Sequence, residues 1–243
     1  MKNIEILPFD KEYLVSAAKE AGYELSAEQA ESLEKYYEIL VDYNNKVNLT
    51  AVTDPKGVAV THFVDSMTLL NADIPKGARL ADIGAGAGFP SVPAGIFRED
   101  LDLTLIDSLN KRITFLNYLS EELNRPLTAL HLRAEEAGRQ KHLREQFDVV
   151  CARGVAKIYL LCEYCLPLVK KGGMLVAMKG PEPELEIKEA KKAIFELGGK
   201  LKEIKKFTLP DGSGRSLVII EKTSTTPNKY PRQSAKIAKS PLI

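Results

Sequence analysis

Apolar residues along this chain follow two rhythms. Before about residue 75 they recur at helical spacing, and between Glu31 and Leu40 the side chains of Leu33, Tyr36, Tyr37 and Leu40 fall on one stripe. Ser26 with Gln29 three positions later predicts a capping box at the head of that helix, and a further helix is expected over Gly57 to Leu70. No strand-like alternation interrupts this part.

From Ala78 the pattern changes to short apolar runs separated by helical stretches, the grammar of βαβ units on a parallel sheet. The predicted strands are Leu80–Ile83, Leu103–Ile106, Thr128–Leu132, Phe147–Ala152 and Leu175–Met178. Two more, Leu201–Thr208 and Ser216–Ile220, flank the turn-rich Pro210-Asp211-Gly212-Ser213-Gly214, so they should pair as an antiparallel hairpin. The expectation is an α/β fold in three parts: a helical N-terminal appendage at 1–75, a sheet domain at 76–222 and a tail at 223–243.

Composition adds little to this picture, but charge adds more. With 243 residues, 44% hydrophobic and 28% charged, the chain can bury a full core. No apolar run nears the roughly 20 residues of a membrane span, and no long apolar core follows residues 1–5, so a cytoplasmic protein without membrane contact is expected. Three cysteines with no disulfide framework point to a reducing compartment, and Cys162 and Cys165, though spaced C-x-x-C, read as helix packing rather than a metal pair. The net charge of +1 is unevenly spread. Residues 1–75 carry 6 Lys/Arg against 13 Asp/Glu, and after Glu221 there are only basic charges: Lys222, Lys229, Arg232, Lys236 and Lys239. Such a split suits a polyanionic partner, and equally a solvated surface.

The richest stretch is Leu80-Ala81-Asp82-Ile83-Gly84-Ala85-Gly86-Ala87-Gly88-Phe89-Pro90, a buried strand entering a glycine turn and then a helix. Gly84, Gly86 and Gly88 let the backbone turn tightly and approach a ligand, and the helix start offers N–H groups to an anion. The spacing is G-x-G-x-G, not the G-x-G-x-x-G of dinucleotide sites, and Asp82 would sit poorly beside a pyrophosphate. S-adenosyl-L-methionine, which carries an ammonium and no phosphate, suits it better. Asp107 ends the next strand 25 residues after Asp82, where a carboxylate can hold ribose hydroxyls; this indicates an adenosine nucleoside without choosing the cofactor. After the third strand, Ala134 and Glu135 offer an N–H and a carboxylate to an adenine edge, although Glu135 serves equally as a helix N-terminal acid. Phe89 is a candidate stacking surface or a core residue. A nicotinamide-dependent oxidoreductase is the rival of another class, and Asp82 and the glycine spacing argue against it.

Beyond these readings, the chain resembles the RsmG (GidB) family of guanine-N7 methyltransferases of bacterial small-subunit ribosomal RNA. The resemblance runs through Val47-Asn48-Leu49-Thr50, His62-Phe63-Val64-Asp65-Ser66, Asp82 to Pro93, Asp107 to Arg112, Arg133-Ala134-Glu135-Glu136, Ala152-Arg153-Gly154-Val155-Ala156, Lys179-Gly180, Arg215 to Lys222 and Tyr230-Pro231-Arg232. It implies the class I S-adenosylmethionine-dependent methyltransferase sheet, Rossmann-like and closed by an antiparallel hairpin. The implied product is S-adenosyl-L-homocysteine, and the implied target is a guanine in the 530 loop of 16S rRNA, met as free RNA, as the small ribosomal subunit or as its assembly intermediate. The resemblance also implies cofactor contacts from Gly84, Phe89, Ala134, Glu135 and Arg153, with Asp107 at the ribose. Arg153 and Arg215 would stand at the reacting centre, and Lys111, Arg112, Lys179, Arg215 and Arg232 would face RNA. No metal is implied, and a monomer is expected. Ser91 stands where the family usually has glycine, and Gly154 where it usually has alanine. The alternatives are a small-molecule methyltransferase and a non-catalytic, ribosome-associated cofactor-binding module. His62 reads as either a functional or a hydrogen-bonded structural histidine, and Glu182, Glu184, Glu186 and Glu189 read as a solvated helix face.

Overall fold

The computed structural model of the protein describes residues 4–243, so the first three positions of the opening segment lie outside the described residues. Two regular helices come first, α1 (Lys11–Glu20) and α2 (Ala27–Asn44). The predicted capping box is present on α2: the Gln29 N–H donates to Ser26 Oγ at 3.2 Å, and the Ser26 N–H donates to Gln29 Oε1 at 2.9 Å.

The expected helix over Gly57 to Leu70 is not a regular one. The chain runs through α3 (Pro55–Gly57), a π-helix (Val58–Val64), α4 (Asp65–Met67) and a 3-10 stretch (Thr68–Ala72). Its hydroxyls explain the departure. Thr61 donates to the Gly57 carbonyl at 2.8 Å, Ser66 to the His62 carbonyl and Thr68 to the Asp65 carbonyl at 2.5 Å, each competing for an acceptor of the backbone ladder.

All seven predicted strands form: β1 (Arg79–Ile83), β2 (Asp102–Asp107), β3 (Thr128–His131), β4 (Phe147–Arg153), β5 (Val169–Lys179), β6 (Gly199–Thr208) and β7 (Gly214–Lys222). They make one sheet of order β3-β2-β1-β4-β5-β7-β6. The first five strands are parallel, while β7 is antiparallel to both β5 and β6. β5 begins six residues before its apolar run. Val169 pairs with Phe147, and the register then shifts so that Met174 pairs with Val149, leaving the polar Lys170-Lys171-Gly172-Gly173 to bulge. Between and after the strands lie α5 (Ser91–Phe97), α6 (Asn110–Glu122), α7 (Ala134–Ala137), α8 (Ile158–Cys165), α9 (Glu184–Glu189), α10 (Lys191–Glu196) and α11 (Ser234–Lys239).

Alternation along the strands builds a core on each face of the sheet. Leu80 points into a cluster with Leu14, Tyr36, Phe63 and Phe115, and its neighbour Ala81 points the other way, toward Cys162, Cys165, Tyr230 and Leu242. The N-terminal helices thus share one continuous core with the sheet, each fully buried Leu or Phe contributing about 1.5–3 kcal/mol. The tail is held too. Lys222 is fully buried, donating to the Leu166 carbonyl and to Thr226 Oγ1 at 2.6 Å, with Glu145 at 3.2 Å. All three cysteines are buried and free, and burial raises each thiol's pKa, so none is a ready thiolate. Among the described residues, no helix is long and apolar enough to cross a membrane.

Candidate active site

In the sheet order, β1 has β2 on one side and β4 on the other, and a crevice opens where the order reverses. A cavity of about 500 Å³ lies there, lined by Gly84 and Gly86 after β1, Asp107 at the end of β2, Ala134 and Glu135 at the start of α7, and Arg153 at the end of β4. Gly84 (φ +73°) and Gly86 (φ +60°) hold left-handed backbone that favours glycine. A Cβ on Gly86 would meet nothing nearer than the Gly84 carbonyl at 3.8 Å, because that side of the turn is open.

The N–H groups of this loop are already committed. Gly84 donates to the Ile106 carbonyl at 2.8 Å, Ala85 to the same oxygen at 3.3 Å, and Gly86 to Asp107 Oδ2 at 3.0 Å. Few donors remain for a pyrophosphate. The start of α5 is committed as well: Asp82 Oδ2 accepts the Ser91 N–H at 3.3 Å and the Ser91 hydroxyl at 2.5 Å. The acceptor at this helix terminus is thus one of the protein's own carboxyl groups.

Asp82 therefore does not line the cavity, contrary to its expected place among the cofactor contacts. It is fully buried behind the loop, its Oδ1 has no partner among the described residues, and burial raises its pKa to about 7 despite the Ser91 bonds. Gly88 (φ +96°) also stands off the cavity. A Cβ there would lie 2.7 Å from the Tyr36 hydroxyl and 2.9 Å from Val92 Cγ2, so this glycine admits α2 against the loop. The Tyr36 hydroxyl in turn donates to the Ala87 carbonyl.

Asp107, 3% exposed, accepts the Leu109 N–H through Oδ1 at 2.9 Å, while Oδ2 takes the Gly86 N–H and Arg112 Nη1 at 3.1 Å. Arg112, expected to face RNA, is thus an ion-pair partner of the cavity carboxylate. Lys111 beside it is exposed. Glu135 is 9% exposed with no ion-pair partner among the described residues. Carboxylates on the wall and few free donors fit S-adenosylmethionine and not a dinucleotide. Ser234 and Tyr164 also line this cavity, and neither was legible as a site residue in the sequence.

A second cavity, about 560 Å³, adjoins the first through His62, Arg153 and Gly154, and Lys179, Arg215, Asp65, Glu186, Phe207 and Met178 line the rest. Asp65, 4% exposed, accepts Arg153 Nη1 through Oδ2 at 2.7 Å and Arg215 Nε through Oδ1 at 3.0 Å. The sequence placed Asp65 only within a family-like segment; its role emerges when the irregular helix lays it between two strand ends. Phe89, on the wall of the first cavity, packs against two of the junction residues. His62 stacks on it at 4.4 Å between centroids, Tyr36 at 5.4 Å, and the Arg153 guanidinium lies 5.2 Å from its ring centre. Burial, helped by the Arg153 charge, lowers the His62 pKa to about 4, leaving a neutral ring that bonds Thr50 Oγ1 at 2.8 Å.

Glu186 is no part of a solvated face. It pairs with Lys179 at 2.7 Å and accepts the Ile158 N–H at 3.1 Å. Arg232 is likewise no free basic residue. Its Nη2 lies 2.6 Å from Glu163 Oε2, and its Nε and its backbone N–H each donate to Glu163 Oε1 at 2.8 Å, with Glu163 1% exposed.

Sheet order, hairpin and cavity together define a class I S-adenosylmethionine-dependent methyltransferase. Among solved structures the fold is shared by TYW2 from M. jannaschii in complex with AdoMet (TM-score 0.50, 13% identity, 66% of this chain and 76% of that one). Residues 29–217 match the GidB family, rRNA small subunit methyltransferase G, and the chain belongs to that family. It is 48% identical over 232 residues to the ribosomal RNA small subunit methyltransferase G of Desulforamulus reducens, covering 94% of this chain and 97% of that protein. Against the Bacillus subtilis protein of the same name, identity is 47% over 234 residues, covering 95% and 98%.

Proposed function

We infer that this chain transfers a methyl group from S-adenosylmethionine to N7 of a guanine in the 530 loop of 16S rRNA. The observation that carries the reading is the junction of two unlike cavities at Arg153 and His62, one walled by Asp107, Glu135 and the glycine loop, the other by Lys179 and Arg215. Asp107 suits the ribose hydroxyls, Ala134 and Glu135 the adenine edge, and Gly84 and Gly86 the close approach of the amino-acid part. Bound there, the cofactor supplies an electrophilic methyl on a sulfonium.

Guanine N7 has an in-plane lone pair and no proton, so no general base is needed, and His62 held neutral is not asked to act as one. The residues' task is alignment, which in well-oriented reactions contributes about 7–11 kcal/mol of barrier reduction. Asp65 fixes Arg153 at the junction and Arg215 in the second cavity, where they orient the base or its phosphate; neither guanidinium acts as an acid. Phe89, stacked with both His62 and Tyr36, gives the first cavity an apolar surface beside the junction. Lys111, exposed beside the first cavity, suits backbone phosphate. We place the reaction in the cytoplasm, with a monomer acting on the small subunit or its rRNA.

The test is to map 7-methylguanosine in small-subunit rRNA from cells with and without this protein, by chemical cleavage at the modified base. Loss of one site in the 530 loop is expected. An unchanged pattern would overturn the reading.

A further inference from the structure

The second cavity offers a pairing pattern as well as charge. Lys179, the last residue of β5, donates to the Ala156 carbonyl at 3.1 Å and forms an ion pair with Glu186 Oε2 at 2.7 Å. An ammonium has three donors, so at least one remains beyond these two partners. Glu186 accepts the Ile158 N–H through that same Oε2 at 3.1 Å, and no group among the described residues donates to its Oε1. A spare donor and a spare acceptor therefore stand side by side on a wall that also carries the apolar surface of Met178 and Phe207.

We propose that Lys179 and Glu186 read the Watson–Crick edge of the target guanine, Lys179 donating to O6 and Glu186 Oε1 accepting from N1–H and the 2-amino group. This rests on the guanine-N7 reading above and assigns the residues that make it selective. Around the ring, N7 and O6 are neighbouring acceptors, and N1–H and the 2-amino group are the donors that follow. With O6 on Lys179, the neighbouring N7 is free to face the place where the two cavities meet, at His62, Arg153 and Gly154. Adenine would set its 6-amino donor against the ammonium and its bare N1 against the carboxylate.

Charge supports the same assignment. A carboxylate in a cavity meant for phosphates alone would repel them, whereas one facing two N–H donors is matched. A splayed base is ordinarily read in this way, through hydrogen bonds to its Watson–Crick edge.

The test uses the full chain, S-adenosylmethionine, and small subunits reconstituted with 16S rRNA carrying either guanine or inosine at the target position. Inosine keeps N7, O6 and N1–H but lacks the 2-amino group. Single-turnover methylation by the wild-type protein is expected to be about tenfold slower on inosine, the loss of one hydrogen bond to a charged group. In Glu186→Gln the amide oxygen stays with Lys179 and Ile158 while its NH2 faces the base, so the guanine-to-inosine ratio should fall to one or below. Glu186→Ala should lower the ratio to about one, and calorimetry with S-adenosylmethionine should give unchanged affinity in both variants. Equal loss on both RNAs, partial or complete, would overturn the proposal, because Glu186 would then act only through Lys179 and Ile158. A wild-type protein that forms no 7-methylguanine on the guanine-bearing particle would overturn the reaction assignment as well, which separates the two failures.

Discussion

Arg153 at the end of β4 and Asp65 in the N-terminal helices meet at 2.7 Å across 88 positions of sequence. The same carboxylate holds Arg215 of β7, so a single buried acid ties the helical part to two strands that border the second cavity. Removing it would leave two guanidinium groups partly buried without their anion. Asp65→Asn is expected to destabilise the protein by about 3 kcal/mol and to depress methylation more than cofactor binding. Urea unfolding and calorimetry check both parts; an unchanged midpoint would show that the arginines find other partners.

The glycines of the loop should separate by function. Gly88→Ala forces a Cβ within 2.7 Å of the Tyr36 hydroxyl and keeps a left-handed backbone, for a cost of about 3 kcal/mol in stability. Gly86→Ala meets no such wall, so its stability cost is about 1 kcal/mol, from backbone strain alone. Its Cβ enters the cavity, and affinity for S-adenosylmethionine should fall. Equal thermal shifts in the two variants would contradict this division.

Asp107 is the cavity carboxylate that we propose for the ribose. Asp107→Asn should weaken S-adenosylmethionine binding by about 1–3 kcal/mol, read by calorimetry. Because Gly86 and Arg112 also lean on Asp107, the midpoint of unfolding should drop as well. Intact affinity would place the ribose elsewhere.

His62 gives the fold an acid sensitivity of known sign. Its pKa is lowered to about 4 in the fold, against about 6.5 in an unfolded chain, so the unfolded state binds the extra proton between those values. Its contribution is therefore fully present above pH 6.5 and is lost as pH falls toward 4, by about 3 kcal/mol in all. Comparing the pH dependence of unfolding with that of His62→Gln isolates this effect from Asp82, whose raised pKa acts in the opposite direction across an overlapping range. Parallel curves would mean that His62 titrates normally.

The tail should behave as structure and not as a loose basic arm. Arg232→Ala removes the partner of a carboxylate that is 1% exposed and should cost about 3 kcal/mol, with little dependence on salt. Lys111→Ala should leave stability unchanged and weaken RNA binding in a salt-dependent way. Titration of both variants with small-subunit rRNA at two ionic strengths distinguishes them. A salt-dependent RNA defect in Arg232→Ala with unchanged stability would restore the looser picture of the tail.

The chain's local grammar determined a good deal. Apolar runs with turns between them marked all seven strands, because a buried strand needs little more than a short β-prone apolar run; most starts fell within two residues of the expected one, and only β5 began much earlier, where a bulge hides the pairing of Val169 in polar sequence. The capping box was legible because both partners lie within one turn. Gly84, Gly86 and Asp107 were legible as cavity-lining positions as well, since each stands at or just past the end of a predicted apolar strand.

What only the tertiary structure decided involves partners distant along the chain. Asp82 had the right position for a ligand contact, yet the fold turned it inward onto Ser91; Gly88 had the spacing of a cradle residue, yet it meets Tyr36 from another helix. Arg232 had the charge of an RNA contact and found Glu163, 69 positions away. Side-chain charge and spacing are properties of the chain, but whether a carboxylate faces a ligand, a serine or two arginines depends on which distant groups packing brings within 3 Å. That choice belongs to the folded core, where an unpaired charge is too costly to leave alone.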